Sequence, residues 1–472
     1  MSVRTILRHA AAAAALGLAI GGASAQVKPS NEPEDFLRAP PKPSTLKGHF
    51  SLVAIGDLLY SHPYAQSPDP ELQKVLAITR AGDVTIGNRE GMFFDLGTFK
   101  GTGYGNGMLW SEAAIGPDMK AMGVDMVSMA NNHSTDWGGE GLRESARLLD
   151  EAGIVHAGSG PNQRSARAAA ILTTPQGRIA LVSTASTFKP NAGADDAFEG
   201  VPQRTGISIL RTRAIHLVDA DQLARVKWLA TRLASPLAPA PAADATEVTL
   251  DDTIYRLSDR PGLHYDMDLY DHAALLKAVR EAKDKADLVV FTIHAHESPT
   301  GVDDDTPQPP DFLIRLFHDA VDAGADMILG GGPHSLRGVE IYKGKVVLYG
   351  MGAFFLNGEI KALQETAFAE WPDATGHAPP PAPPERSVRK GGNPKSWYDG
   401  MVATTEFVDG RAKTVRLYPL DLGNTYDRAR RGIPHLADPA NARRILADLQ
   451  RFSAPFGTKI AIEGSVGVIR LP

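Results

Sequence analysis

From Phe50 onward the apolar positions follow two alternating rhythms. Short runs such as FSLVAI (50–55), DVTIG (83–87) and DMVSMA (125–130) are apolar at most positions, as strands covered on both faces are. Between them lie stretches at helical spacing. PELQKVLAIT (70–79) places Leu72, Val75, Leu76 and Thr79 on one side, and EGLRESARLLDEAG (140–153) does the same with Leu142, Ala146 and Leu149. EAAIGPDMKAMG (112–123) is a further helix, broken near Pro117. The alternation resumes with strands IALVSTA (179–185), DLVVFTI (287–293), DMILGG (326–331) and KVVLYGM (345–351). Helices DHAALLKAVREAKDKA (271–286) and PDFLIRLFHDAVDAGA (310–325) lie among them. The pattern predicts an α/β fold with buried strands.

One joint recurs. A helix ends, a small or apolar residue follows, then Asp, then an apolar run, in AGDVTI, GVDMVS, KADLVV and GADMIL. Two stretches break the rhythm. Residues 211–268 hold a helix near 219–234 and then SPLAPAPAADAT, which together read as an insertion with a flexible turn. Residues 371–397 are too Pro-rich for strand or helix interiors and read as a surface loop or lid. After residue 401 come the β-like runs MVATTEFV and TVRLYPL and a helix near 440–452. The main domain is therefore expected over 48–425, with residues 426–472 as a C-terminal extension.

The N-terminus has a different character. Arg4 and Arg8 precede an apolar, Ala-rich stretch (10–20), and Ala23-Ser24-Ala25 is a small-x-small cleavage pattern. Residues 1–25 thus read as a cleavable export signal, with an uncleaved anchor as the alternative, and 26–47 as a polar, Pro-rich linker. The expected location is periplasmic or extracellular. No later run reaches the roughly 18 apolar residues of a membrane span. Hydrophobic residues make up 43% of the chain and charged ones 22%, the balance of a globular protein. A net charge of −6 offers no basic field for nucleic acid, and the absence of Cys excludes disulfides and thiolate metal ligands.

The chemistry clusters where strands end. Asp57 follows the first strand, Asn88 and Glu90 the second, and Asn131, Asn132 and His133 the third. His294, His296 and Glu297 follow the strand at 287–293, and His334 the one at 326–331. Open α/β sheets build their sites beyond the carboxyl ends of strands. Carboxylate, amide and imidazole together suit Mn, Fe or Zn. A helix-capping or loop role is the alternative for each residue taken singly. Arg89 and Arg337 flank this region and could pair with substrate carboxylates or phosphates, or form surface ion pairs. HAGSGPNQRSAR (156–167) could present amides to an anion, with Arg164 or Arg167 nearby.

The ordered landmarks GD, GNRE, ANNHSTDWGGEGL, HAGSG, IHAHE and GGPHSLRGVEIYKGKVVLYGMGAFF resemble the CapA family, associated with poly-γ-glutamate capsule synthesis. That family is similar in fold to calcineurin-like metallophosphatases. The resemblance covers roughly 50–210 and 265–356 and implies a layered α-β-β-α sandwich with insertions. It further implies one or two divalent metal ions, with Asp57 and His334 on the first and Asn132 and His294 on the second. Glu90 would stand between the metals, and His133 would protonate the leaving group. Asn131 would orient neighbouring groups or enter the helix, and Asp136 would cap it. Two departures stand out. Gly331-Gly332-Pro333-His334 replaces the family's His-His-Pro-His, removing an expected second-metal ligand. His294-Ala295-His296-Glu297 replaces His-Trp-Gly-x-Glu, and His296 either supplies the missing imidazole or is an unrelated loop residue. The implied activity is hydrolysis of an anionic envelope polymer or a phosphoester at the cell envelope. A non-catalytic polymer-binding or assembly factor and a periplasmic phosphodiesterase are the alternatives.

Overall fold

The run at 50–55 lies within a strand of 12 residues, β1 (His49–Tyr60), buried at every position from Leu52 onward. The other strands that shape the site are β2 (Val84–Asn88), β3 (Met126–Ser128), β4 (Gly177–Ala185), β5 (Leu288–His294) and β6 (Met327–Gly331). Helices α1 (Pro70–Ala81), α2 (Ile115–Ala121), α3 (Gly138–Glu151), α4 (Ala220–Arg232), α5 (Leu269–Lys285) and α6 (Asp311–Ala323) alternate with them. The computed structural model describes residues 40–103, 108–301, 306–357, 359–361, 394–427 and 430–472. The expected export signal, residues 26–39 of the linker and 371–393 of the Pro-rich loop lie outside the described residues.

Among the described residues the strands build one ten-stranded and one six-stranded sheet, with three smaller sheets. In the larger sheet β1 is central, parallel to β2, which is parallel to β3. In the other, β5 lies parallel between β4 and β6. The period of two along β1 makes the layering plain. Phe50, Leu52 and Ala54 point into a core shared with Ile179, Leu181, Leu288, Val290, Met327 and Leu329 of the second sheet. Val53 and Ile55 point the other way, onto Leu72, Val75 and Leu76 of α1 and Met119 of α2. Helices α5 and α6 pack on the outer face of the second sheet. The order is helices, sheet, sheet, helices.

The recurring Asp joint has a common geometry. Asp83 accepts the backbone N–H of Ser51, Asp125 that of Thr85, Asp287 that of Arg178 and Asp326 that of Val289, at 2.7–3.0 Å. Each Asp also donates its own N–H back to the carbonyl of the residue it clamps. A carboxylate at the foot of one strand thus fixes the foot of its parallel neighbour, and with it the pair's register.

Three expectations are corrected. The insertion at 211–268 holds the expected helix, α4, but is more than a helix and a flexible turn, because four strands form a sheet against that helix. The C-terminal extension is no appendage, because Ala461–Glu463 and Val466–Arg470 complete the edge of the ten-stranded sheet. The end of the linker is not free either: Leu46 is buried in the core between the sheets. Residues Pro40–Pro472 form one compact unit.

Candidate functional site

Asp57 owes its position to a break in pairing. The register of β1 shifts between Ala54 and Asp57 against β2, and between Asp57 and Leu58 against the strand Ala353–Asn357. A Cβ on Gly56 would lie 1.9 Å from the Gly352 carbonyl oxygen, so only Gly allows that approach. The bulge sets the carboxylate at the rim where β2, β3, β5 and β6 also end. Asp57 is fully buried; its Oδ1 accepts from Asn88 Nδ2 at 2.8 Å, while Oδ2 has no hydrogen-bond partner. Facing Oδ2 at 3.7 Å is His334 Nδ1, likewise buried and without a hydrogen bond.

Glu90 joins two donor groups. Asp57, Glu90 and His334 form one and Glu90, His294 and His296 the other, the donor atoms of each within 4.8 Å of one another. The Asn132 amide completes the second group, its Oδ1 3.0 Å from His294 Nε2. His294 and His296 Nε2 atoms are also 3.0 Å apart. His296 therefore lies within the second donor group, beside His294 and Glu90. Burial, and then the neighbouring rings of His296, His334 and His133, hold the His294 ring well below its usual pKa. It stays a neutral ring with a lone pair to offer. Crowded imidazoles and carboxylates that cannot all satisfy one another are the chemistry of a cation site.

His133 lies at the mouth, partly exposed, with Nε2 3.8 Å from Glu90 Oε1. Its Nδ1 lies 2.9 Å from Asp136 Oδ2. Asp136 was expected to cap the following helix. Instead its fully buried carboxylate takes the His133 ring, the Leu109 N–H at 2.7 Å and Lys189 Nζ at 2.5 Å, and α3 begins without a side-chain cap. The spacing His133-x-x-Asp136 was the available signal, because a loop that turns at once brings residues three apart together.

Arg89 and Arg337, expected to pair with substrate, are turned inward. Arg89 is fully buried, donating to the carbonyls of Leu58 and Tyr60 and to Ser111 Oγ between the rings of Tyr60 and Phe93. That burial lowers its pKa to about 10. Arg337 is equally buried and donates to the Glu297 carbonyl at 2.8 Å. Asn131 is buried too. Its Oδ1 accepts the His133 N–H and its Nδ2 donates to the Arg89 carbonyl, so it shapes the His133 loop. The anion cradle at 156–167 is likewise absent: the Arg164 N–H goes to Asp196 and Arg167 pairs with buried Asp271.

Two further residues belong to the site. Asn88 Nδ2 lies 3.1 Å from His294 Nδ1 as well as holding Asp57, so one amide orients a residue of each donor group. Trp397, in the described end of the Pro-rich loop, sets its ring edge-on to His334 with centroids 4.6 Å apart.

Comparison with known proteins finds a family and several relatives. Residues 51–358 match the family described as bacterial capsule synthesis protein PGA_cap. An uncharacterized protein of Sinorhizobium fredii is 38% identical over 449 residues, covering 89% of this chain and 93% of its own length. The capsule biosynthesis protein CapA of Bacillus anthracis is 24% identical over 259 residues, 54% of this chain and 45% of that protein. A probable polyglutamine synthesis accessory protein of Mycobacterium tuberculosis is 26% identical over 237 residues, 50% of this chain and 46% of that protein. With the family match spanning well over half of the sequence, this chain belongs to the CapA family of bacterial capsule synthesis proteins.

Proposed function

We propose that this chain is an exported metal-dependent hydrolase with a calcineurin-like metallophosphatase fold, acting on poly-γ-glutamate or a related anionic polymer of the cell envelope. The signal-like N-terminus supports the export, to a periplasm or beyond. The four-layer order of helices and sheets supports the fold. The observation that carries the hydrolase is the meeting of two donor groups on Glu90, with Asp57 Oδ2 and His334 Nδ1 buried and facing each other.

The donors fit Mn, Fe or Zn: Asp57, Glu90 and His334 would hold one ion, and Glu90, Asn132, His294 and His296 a second. When bound, such cations lower the pKa of a water and stabilise negative charge on the attacked centre. The remaining work falls to the chain. Asp136, bonded to Nδ1, orients the His133 ring, and Nε2 on the site side would hand a proton to the leaving group. Asn88 fixes Asp57 and His294 against each other.

A cleft of about 1060 Å³ starts at the His133 loop and is lined by Thr135, Gly139, Arg143, Lys189, Phe198 and Arg204, among others. Its half-exposed pairs Arg143–Glu140 and Arg204–Asp195 are worth little in water, so substrate carboxylates can replace the protein's own at small cost.

Loaded with Mn²⁺ or Zn²⁺, the purified protein should cleave a model phosphodiester or γ-glutamyl polymer. His133→Ala should lose about 10²–10⁴ in rate, and Asp57→Asn should lose metal. Metal-loaded protein that turns over neither substrate overturns the reading.

A further inference from the structure

Glu297 follows β5 among the candidate ligands but belongs to neither donor group. Hydroxyls take up its carboxylate instead. Oε2 accepts from Ser186 Oγ and from Thr187 Oγ1, both at 2.9 Å, and Oε1 from Thr212 Oγ1 at a longer 3.4 Å. Ser186 and Thr187 are the two residues after β4, the parallel neighbour of β5. Thr212 opens the first strand of the insertion. One side chain thus joins three segments that lie far apart in sequence.

These hydrogen bonds have a direction, and it ends on His296. Strands β4 and β5 pair in register up to Ala185 and His294, and the ladder makes one more bond, from the Ser186 N–H to the His294 carbonyl at 3.0 Å. Beyond that point the His296 N–H goes to a side chain, Thr187 Oγ1, at 2.9 Å. A hydroxyl has one hydrogen and two lone pairs. Thr187 gives its hydrogen to Glu297, which leaves a lone pair for the His296 N–H. The backbone of Glu297 is held as well, because buried Arg337 donates to its carbonyl at 2.8 Å. His296 is therefore fixed at its own N–H and at the next residue, with its Nε2 3.0 Å from His294 Nε2. Groups that hold a ligand in place tune a metal site without touching the ion.

We propose that Glu297 and Thr187 form a positioning pair that aims His296 into the second donor group, so that the affinity of that group for its cation depends on them. The role rests on Glu90, Asn132, His294 and His296 holding a cation, and its test reads binding rather than turnover. Calorimetric titration of the metal-free full chain with Mn²⁺ should show both ions binding to the wild type. Glu297→Ala and Thr187→Val should weaken one ion by about 10–100-fold and leave the other unchanged. Thr187→Val keeps the shape of the side chain, so the test stands even where Glu297→Ala fails to fold. Glu297→Gln can set its amide oxygen at the Oε2 position and donate its NH₂ to Thr212, and Thr187→Ser keeps the hydroxyl. Both should bind close to wild type. Unchanged affinity in Glu297→Ala and Thr187→Val overturns the proposal. A Glu297→Gln variant as weak as Glu297→Ala overturns it too, because the charge and not the hydrogen bonds would then be required. Equal weakening of both ions, the mark of a general loosening, has the same force. Wild type that binds a single ion removes the second site and this role with it, whereas a chain that binds both ions and cleaves nothing sinks the hydrolase reading alone.

Discussion

At the residue scale, the outcome turned on where polar side chains spend their hydrogen bonds. Asp136 is held by three donors and meets His133 through one oxygen, so it positions the ring rather than meeting substrate. Asp136→Asn should therefore cut turnover by about 10²-fold or more while leaving metal content unchanged. Activity and metal analysis on the same preparation check this. A second carboxylate, Asp271, is fully buried outside the two donor groups. Burial alone would raise its pKa, but hydrogen bonds from Arg211 and the charges of Arg167 and Arg211 outweigh this and hold it below the usual value. A carboxyl group depressed on folding stabilises the protein above its unfolded pKa of about 3.9 and loses that contribution as pH falls through the folded value. Asp271→Asn should cost about 3 kcal/mol at pH 7, by urea denaturation, and progressively less as pH falls below the unfolded carboxyl value. Asp57, Glu90 and His334 could be read at strand ends from sequence alone. The burial of Arg89, Arg337 and Asn131 could not, because adjacency to a motif does not tell which way a side chain turns.

At the element scale, the four Asp joints explain why the sheets were so readable. Each couples a helix end, a strand start and a neighbouring strand through one residue type, so local sequence and tertiary pairing agree. Asp125→Ala should leave the Thr85 N–H without its side-chain acceptor and cost about 1–2 kcal/mol in denaturant titration. The insertion failed for the opposite reason. Its strand Thr212–Val218 is buried only at Ile215 and Val218, one on each face. Without a continuous apolar run, no strand is expected there. Gly332 shows an element end under tight constraint: its φ is +109°, and a Cβ there would lie 2.5 Å from the Ala295 nitrogen. Gly332→Ala should strain the turn leading to His334 and lower metal occupancy, measured by elemental analysis.

On the scale of the whole molecule, metal and stability should be linked. Ions bound by residues from β1, β5 and the loops after β2, β3 and β6 would tie both sheets together at the rim. Chelation should lower the melting temperature, and Mn²⁺ at about a hundred times its dissociation constant should return about 2.7 kcal/mol. Asp57→Asn should abolish that return in a thermal scan. The sheet order has a further consequence in the time domain. One edge of β1 pairs with Asp399–Val408, and that strand pairs with Arg411–Asp421, which is flanked in turn by the final strand Val466–Arg470. A growing polypeptide that has emerged only as far as the histidine at 334 already owns every donor atom of the rim, yet the strand bearing Asp57 still has an open flank. Such closure between distant segments is slow and leaves apolar edges uncovered meanwhile. Closure of that flank therefore waits for the strands between Asp399 and Arg470.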